Sequence, residues 1–140
     1  AAFDFQEFLG FASREAKSYV YGITFEERIM IEKSHRFTRT DDKTMEKIID
    51  DERVNINHIV VKPGEAVPTH VSNSFVHQII VRGALSLSLE DGPFADYPAG
   101  TIVAVPFNQK MSIENHGADT LEFFVVKAPN PRDMPEVKRI

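Results

Sequence analysis

Two periodicities divide the chain. Over AAFDFQEFLGFASREAKSYVYGITFEERI, apolar Phe5, Phe8, Leu9, Ala16, Val20 and Tyr21 recur at helical spacing, while Gly10 and Ser13 mark a stop and a new N-cap. This spacing predicts a short helical N-terminal extension over residues 1–29. The following MIEKSHRFTRTDDKTMEKIIDD is dense in charge and reads as an exposed approach. From residue 53 the period becomes two. In RVNINHIVV, Val54, Ile56, His58 and Val60 alternate with Asn55 and Asn57; SFVHQIIVR follows; in ALSLSLE, Leu85, Leu87 and Leu89 alternate with Ser86 and Ser88. TIVAVPF, KMSIEN and TLEFFVVKA are further β-rich runs, and Asp91-Gly92 and Pro98-Ala99-Gly100 are turn signals. About five or six short strands punctuated by Gly and Pro predict an all-β domain, an antiparallel sandwich or barrel over residues 30–128. PNPRDMPEVKRI, with its prolines and charges, predicts a surface tail over residues 129–140.

Composition narrows the function classes. With 140 residues and 42% hydrophobic content, the chain builds one domain around one core. Sixteen basic residues against 21 acidic ones give a net charge of -5, with no basic cluster, which argues against a nucleic-acid partner. The absence of cysteine excludes disulfides, thiolate metal sites and a cysteine nucleophile, and fits a reducing cytoplasmic location. No apolar run approaches the roughly 20 residues of a membrane helix, so no membrane partner is expected. LGFASREAKSYVYGI faintly suggests a helix-turn-helix, but residues 1–29 are too short and not basic enough for a three-helix DNA reader. A packing or dimerisation arm is the expectation there, and with it a homodimer.

Between residues 63 and 115 the turns and strands fall into a frame. Gly64 is followed by EAVPT, then His70, Val71 and Ser72, then NSFV, His77, QIIVR and Gly83; Gly100 is followed by TIVAV, then Pro106, Phe107, Asn108, Gln109, Lys110, Met111, SIE and Asn115. This resembles the two-part signature of the cupin superfamily. The first half of that signature runs G, five residues, H-x-H, three or four residues, E, about six residues, G; the second runs G, five residues, P-x-G, two residues, H, three residues, N. The resemblance implies a small antiparallel double-stranded β-helix, or jelly-roll barrel, and covers about residues 53–128. It places Ser72 where a second His would be, His77 where Glu would be, Asn108 for Gly and Met111 for His.

In metal-binding cupins the ligands come from both halves and point inward, so the resemblance makes His70, Ser72, His77 and Met111 the positions to examine. Imidazoles suit a divalent Zn, Fe, Mn, Ni or Cu ion, a thioether suits softer ions, and an uncharged Ser adds little. Alternation groups His77 with Ile79 and Val81, and Met111 with Ile113, so both are expected to project inward. His58, grouped with Val54, Ile56 and Val60, is a candidate third imidazole if that face lines the interior. Ser72, Asn73, Gln78 and Asn108, with Gln109 and Lys110 beside it, are candidate contacts for a small-molecule ligand at the barrel mouth. Three functions are compatible with these residues: a cupin that binds a compact metabolite, with or without a divalent metal held by His70 and His77, and whose reaction is unidentified; a non-catalytic sensory or binding module; and an assembly unit.

Overall fold

Strands occupy most of residues 44–127: β1 (Thr44–Asp50), β2 (Asn55–Val61), β3 (Ala66–Val71), β4 (Val76–Arg82), β5 (Ala84–Leu89), β6 (Ala95–Pro98), β7 (Ile102–Val105), β8 (Lys110–Glu114) and β9 (Leu121–Lys127). The structure, a computed structural model, describes residues 31–140; the helical extension expected over residues 1–29 lies outside the described residues. His35–Ile140 form one compact unit. All pairings are antiparallel, in a five-stranded sheet ordered β1-β2-β9-β4-β7 and a four-stranded sheet ordered β3-β8-β5-β6.

Alternation decides what the sheets bury between them. β9 turns Leu121, Phe123 and Val125 inward, β4 turns Val76 and Ile80, and β5 and β8 add Leu85, Leu87, Met111 and Ile113 to the same cluster. Among the described residues nine strands stand where the sequence suggested about five or six. β1 lies inside the charge-rich approach, because the edge of a sheet tolerates alternating charges. β3 carries Pro68, which depresses its strand signal, yet β3 is also an edge strand, where a missing amide donor costs no ladder bond.

Local devices fix the inward set. On β3, three residues from Val67 to His70 oppose two from Ile113 to Met111, a bulge that lets Val67 and His70 both reach the interior. Gly83, at φ 71°, ends β4 where an added Cβ would collide with the Thr120 carbonyl oxygen. Ser72 ties the β3–β4 connection to the β7–β8 turn. Its hydroxyl donates to the Pro106 carbonyl at 2.7 Å and accepts from the Gln109 amide at 2.8 Å, and its carbonyl accepts from the Asn108 amide at 2.8 Å.

The residues after β9 run over the surface but are anchored. Buried Asn130 donates to Asp50 Oδ1 at 2.6 Å and to the Asp51 carbonyl at 2.8 Å, and Arg132 donates to the same Asp50 oxygen at 3.0 Å. The Asn130 bond is the largest influence on the Asp50 carboxyl, which sits at about 2 against an ordinary 3.8. A lowered acid pKa means that this stabilisation is complete above 3.8 and disappears as pH falls through about 2. Asn130→Ala is expected to raise the Asp50 pKa toward 3.8, read from the side-chain carboxyl carbon in an NMR pH titration; an unchanged midpoint would mean that Asn130 does not set it.

Candidate functional site

A cavity of about 470 Å3 opens between the sheets, with Ile59, Val67, Val76, Ile113 and Val125 as its apolar walls. Each wall residue follows from strand parity, and so do the polar groups beside it. β2 supplies Asn57 two places before Ile59, β4 supplies Gln78 two places after Val76, β8 supplies Met111 before Ile113, and β9 supplies Lys127 after Val125. The bulge on β3 adds His70, the connection after it adds Ser72 and Asn73, and β1 contributes Lys47.

The structure thus gathers five of the sequence candidates, His70, Ser72, Asn73, Gln78 and Met111, around one cavity. It does not bring His58, His77 or Asn108 there. His77 is exposed, while Val76 and Gln78 on either side of it are buried, so the expected inward projection of His77, Ile79 and Val81 is reversed. One residue of slip in counting flips a side chain to the other face. Five residues separate His77 from Gly83; with six, the frame position falls on buried, inward Val76. His58 does share a face with Ile56 and Val60, but the cavity takes Asn57 and Ile59 from the opposite face of β2. Asn108, at φ 69°, is a turn residue whose amide oxygen accepts from the Lys138 backbone at 2.8 Å.

Several of the gathered groups are already committed. The hydroxyl of Ser72 is used within the turn hub, and the Nδ1–H of His70 donates to the Pro68 carbonyl at 2.8 Å, leaving Nε2 as that ring's acceptor. Gln78 is different. Its side chain is fully buried, its Nε2 reaches only the thioether of Met111 at 3.9 Å, and its Oε1 has no partner. Asn73 likewise holds a buried Oδ1 without a partner. Such orphaned acceptors each cost about 1–3 kcal/mol of stability when nothing donates to them.

Comparison with known proteins gives the barrel its lineage. No family model matches the chain. An uncharacterized protein of Methanocaldococcus jannaschii is 52% identical over 106 residues, covering 75% of this chain and 91% of that protein. A crystal structure from the same organism, described as an RmlC-like cupin family protein with a double-stranded β-helix fold, superposes with a TM-score of 0.71 at 53% identity, covering 74% of this chain and 95% of that one. The chain belongs to the RmlC-like cupin family. An RmlC-like cupin from Desulfovibrio desulfuricans, at 19% identity and a TM-score of 0.61 over 70% of this chain and 97% of its own, shares the fold alone.

Within this cupin barrel the interior donors do not fit a divalent ion. The cavity offers one imidazole, the amides of Asn57, Asn73 and Gln78 and the thioethers of Met45 and Met111, with the Ser72 hydroxyl already bonded; Glu46, its one acidic residue, turns its carboxylate to Thr38 and His58. Among the described residues no three His, Cys, Asp or Glu side chains converge as a metal site would require. Lys47, Asn57 and Lys127 are cavity residues that the sequence candidates omit. For Lys127 a signal exists, since it continues the inward parity of Leu121, Phe123 and Val125; for Lys47 the surrounding charge hides it. Burial, and then the charge of Lys47, hold the Lys127 ammonium below the ordinary lysine value.

The cupin's outer sheet face holds a separate polar cluster. His58, fully buried, forms a three-ring cluster with Phe37 and Phe124, whose centroids lie 4.9 Å from its own and 4.8 Å from each other. Its Nδ1 faces Glu46 Oε1 at 2.9 Å and its Nε2 faces Glu122 Oε2 at 2.6 Å; donating to both requires the doubly protonated ring. Burial pulls the Glu122 carboxyl up, but hydrogen bonds from His58 and from Arg82 at 2.8 Å outweigh it and leave it below the usual range. Arg82 also donates to Asp41 at 2.6 Å and to the Thr40 carbonyl at 2.8 Å, tying the segment before β1 to β4. His58→Ala is expected to lower unfolding stability by about 3 kcal/mol or more, since it strands buried carboxylate oxygens. His77→Ala, on the exposed face, should stay within about 0.5 kcal/mol. Denaturant unfolding of both variants checks the contrast, and equal effects would contradict the assignment of the two faces.

Proposed function

We propose that this cupin binds a small polar molecule inside its barrel without a resident divalent metal. One observation carries the reading: Gln78, a residue lining the cavity, holds a fully buried Oε1 that has no donor among the described residues. An amide placed there for stability would be satisfied by protein groups, as buried polar atoms ordinarily are. A half-turn of the amide only exchanges which of its polar atoms is left over, because the neighbouring group is a thioether. A ligand donor would supply the missing bond, Asn73 Oδ1 would accept a second, and His70 Nε2 a third. Apolar walls surround these groups, and the cavity volume, about 470 Å3, is in the range of small-molecule sites.

Gln78→Leu separates a ligand group from a structural one. The reading expects the variant to fold with stability equal to or about 1 kcal/mol above wild type, because an unsatisfied acceptor is removed. It expects protein purified without chelator to carry far less than stoichiometric metal, and its melting temperature to be unmoved by added Zn, Mn, Fe, Ni or Cu salts. A loss of about 2 kcal/mol in Gln78→Leu would make the amide a structural element. Stoichiometric metal that disappears in His70→Ala would overturn the metal-free reading.

A further inference from the structure

We infer that Lys127 and Lys47 form an anion-binding end of the cavity, so that the ligand is a small organic anion carrying a hydrogen-bond donor several bonds from its charge. The inference rests on the cavity reading above and names the ligand class. Three strands bring the groups together on one inward face: Lys47 of β1 lies opposite Asn57 of β2, and Lys127 of β9 lies opposite Asn55, one two-residue step along β2. Two lysines thus share this face with Asn55 and Asn57 beside an apolar cavity, the Lys47 ammonium lying 3.3 Å from Asp50 Oδ2.

Charge this close to an apolar wall ordinarily has a counterion. Lys127 makes no hydrogen bond or ion pair among the described residues, and the one charge acting on it is repulsive Lys47. The nearby carboxylates are occupied: Asp50 holds Asn130, Arg132 and Lys47, and Glu46 holds Thr38 and His58. A second cavity, of about 490 Å3, shares Lys47, Asn57, Asn73 and Lys127 with the first and adds Asn55, Asn130, Pro131, Arg132 and Asp50, the last already bonded to Asn130, Arg132 and Lys47. Lys127 therefore stands where the apolar cavity meets a polar one, and an anion there would face two ammonium groups.

The unpartnered acceptors fix the rest of the ligand. On β9, Val125 pairs with Gln78 and Lys127 pairs with Val76, so the Gln78 row and the Lys127 row are one two-residue step apart, roughly 7 Å along the strand. A molecule spanning them bears its charge at one end and an O–H or N–H donor at the other. Hydroxy-substituted or amino-substituted carboxylates and small phosphate monoesters share this chemistry.

The test uses the intact protein with labelled lysines and glutamines, followed by NMR while 4-hydroxybutanoate, butane-1,4-diol or inorganic phosphate is added at equal concentrations. The inference expects 4-hydroxybutanoate to shift the Lys127 side-chain carbons and the Gln78 amide together and saturably. The diol should act on Gln78 alone, and phosphate on Lys127 alone. Lys127→Met should weaken 4-hydroxybutanoate binding about tenfold while raising the melting temperature, since it removes an unpaired, half-buried charge. Lys47→Met, at an exposed side chain whose loss leaves the fold intact, should weaken it less. If diol and carboxylate bind alike and Lys127 does not move, the anion inference is overturned and the cavity reading stands. If Gln78 responds to none of the three, both are overturned.

Discussion

β4 is hydrogen-bonded along both edges, to β9 on one side and β7 on the other, with Gln78 opposite Val125 and Val103. This two-sided register is the constraint on which the site depends. A slip by one residue would place His77 inside and Gln78 outside, but it would also expose Val76 and Ile80, both now almost fully buried. Apolar burial, at about 1.5–3 kcal/mol for each such side chain, fixes the register. The chemistry of the interior is therefore inherited from the packing: an amide and a thioether line the cavity because valine and isoleucine must.

The same alternation gives the five-stranded sheet two polar programmes. Its inner face carries the Gln78 amide oxygen and the Lys127 ammonium, neither with a partner among the described residues, beside a cavity of about 470 Å3. Its outer face carries His58, Glu46, Glu122 and Arg82, each satisfied by the others. A buried charge network that is fully bonded holds structure together, in this case the segment around Thr40 against β2, β4 and β9. Groups that stay unsatisfied in a well-packed barrel cost stability, and under the proposed function a ligand would offset that cost. His58, the candidate third imidazole, is thus bonded to carboxylates on the outer face, and Gln78, the position after His77, is the one that lines the cavity.

The frame of glycines, prolines and alternating strands was legible in the sequence because those residues answer to local backbone rules. Gly64, Gly83 and Gly100 all take positive φ, and Ser72 and Pro106 meet across the two halves of the signature. The inward set was legible only where parity could be counted from a secure anchor. His70 lines the cavity although a bulge precedes it, whereas His77, five residues before Gly83 where the signature has about six, is exposed. His58 was grouped with the right neighbours, but period two alone does not say which face of β2 is inside. Lys47 and Asn57 are cavity residues through pairing between β1 and β2, which no local pattern announces.

A crystal structure of the protein grown without added metal or chelator tests the central claim most directly, through the density around Gln78 and His70. The account predicts a non-protein donor, ligand or solvent, within hydrogen-bond distance of Gln78 Oε1, and no ion on His70. Density about 2.1 Å from the His70 Nε2 nitrogen, shared with Met111 or another cavity side chain, would contradict it and restore a metal to the barrel.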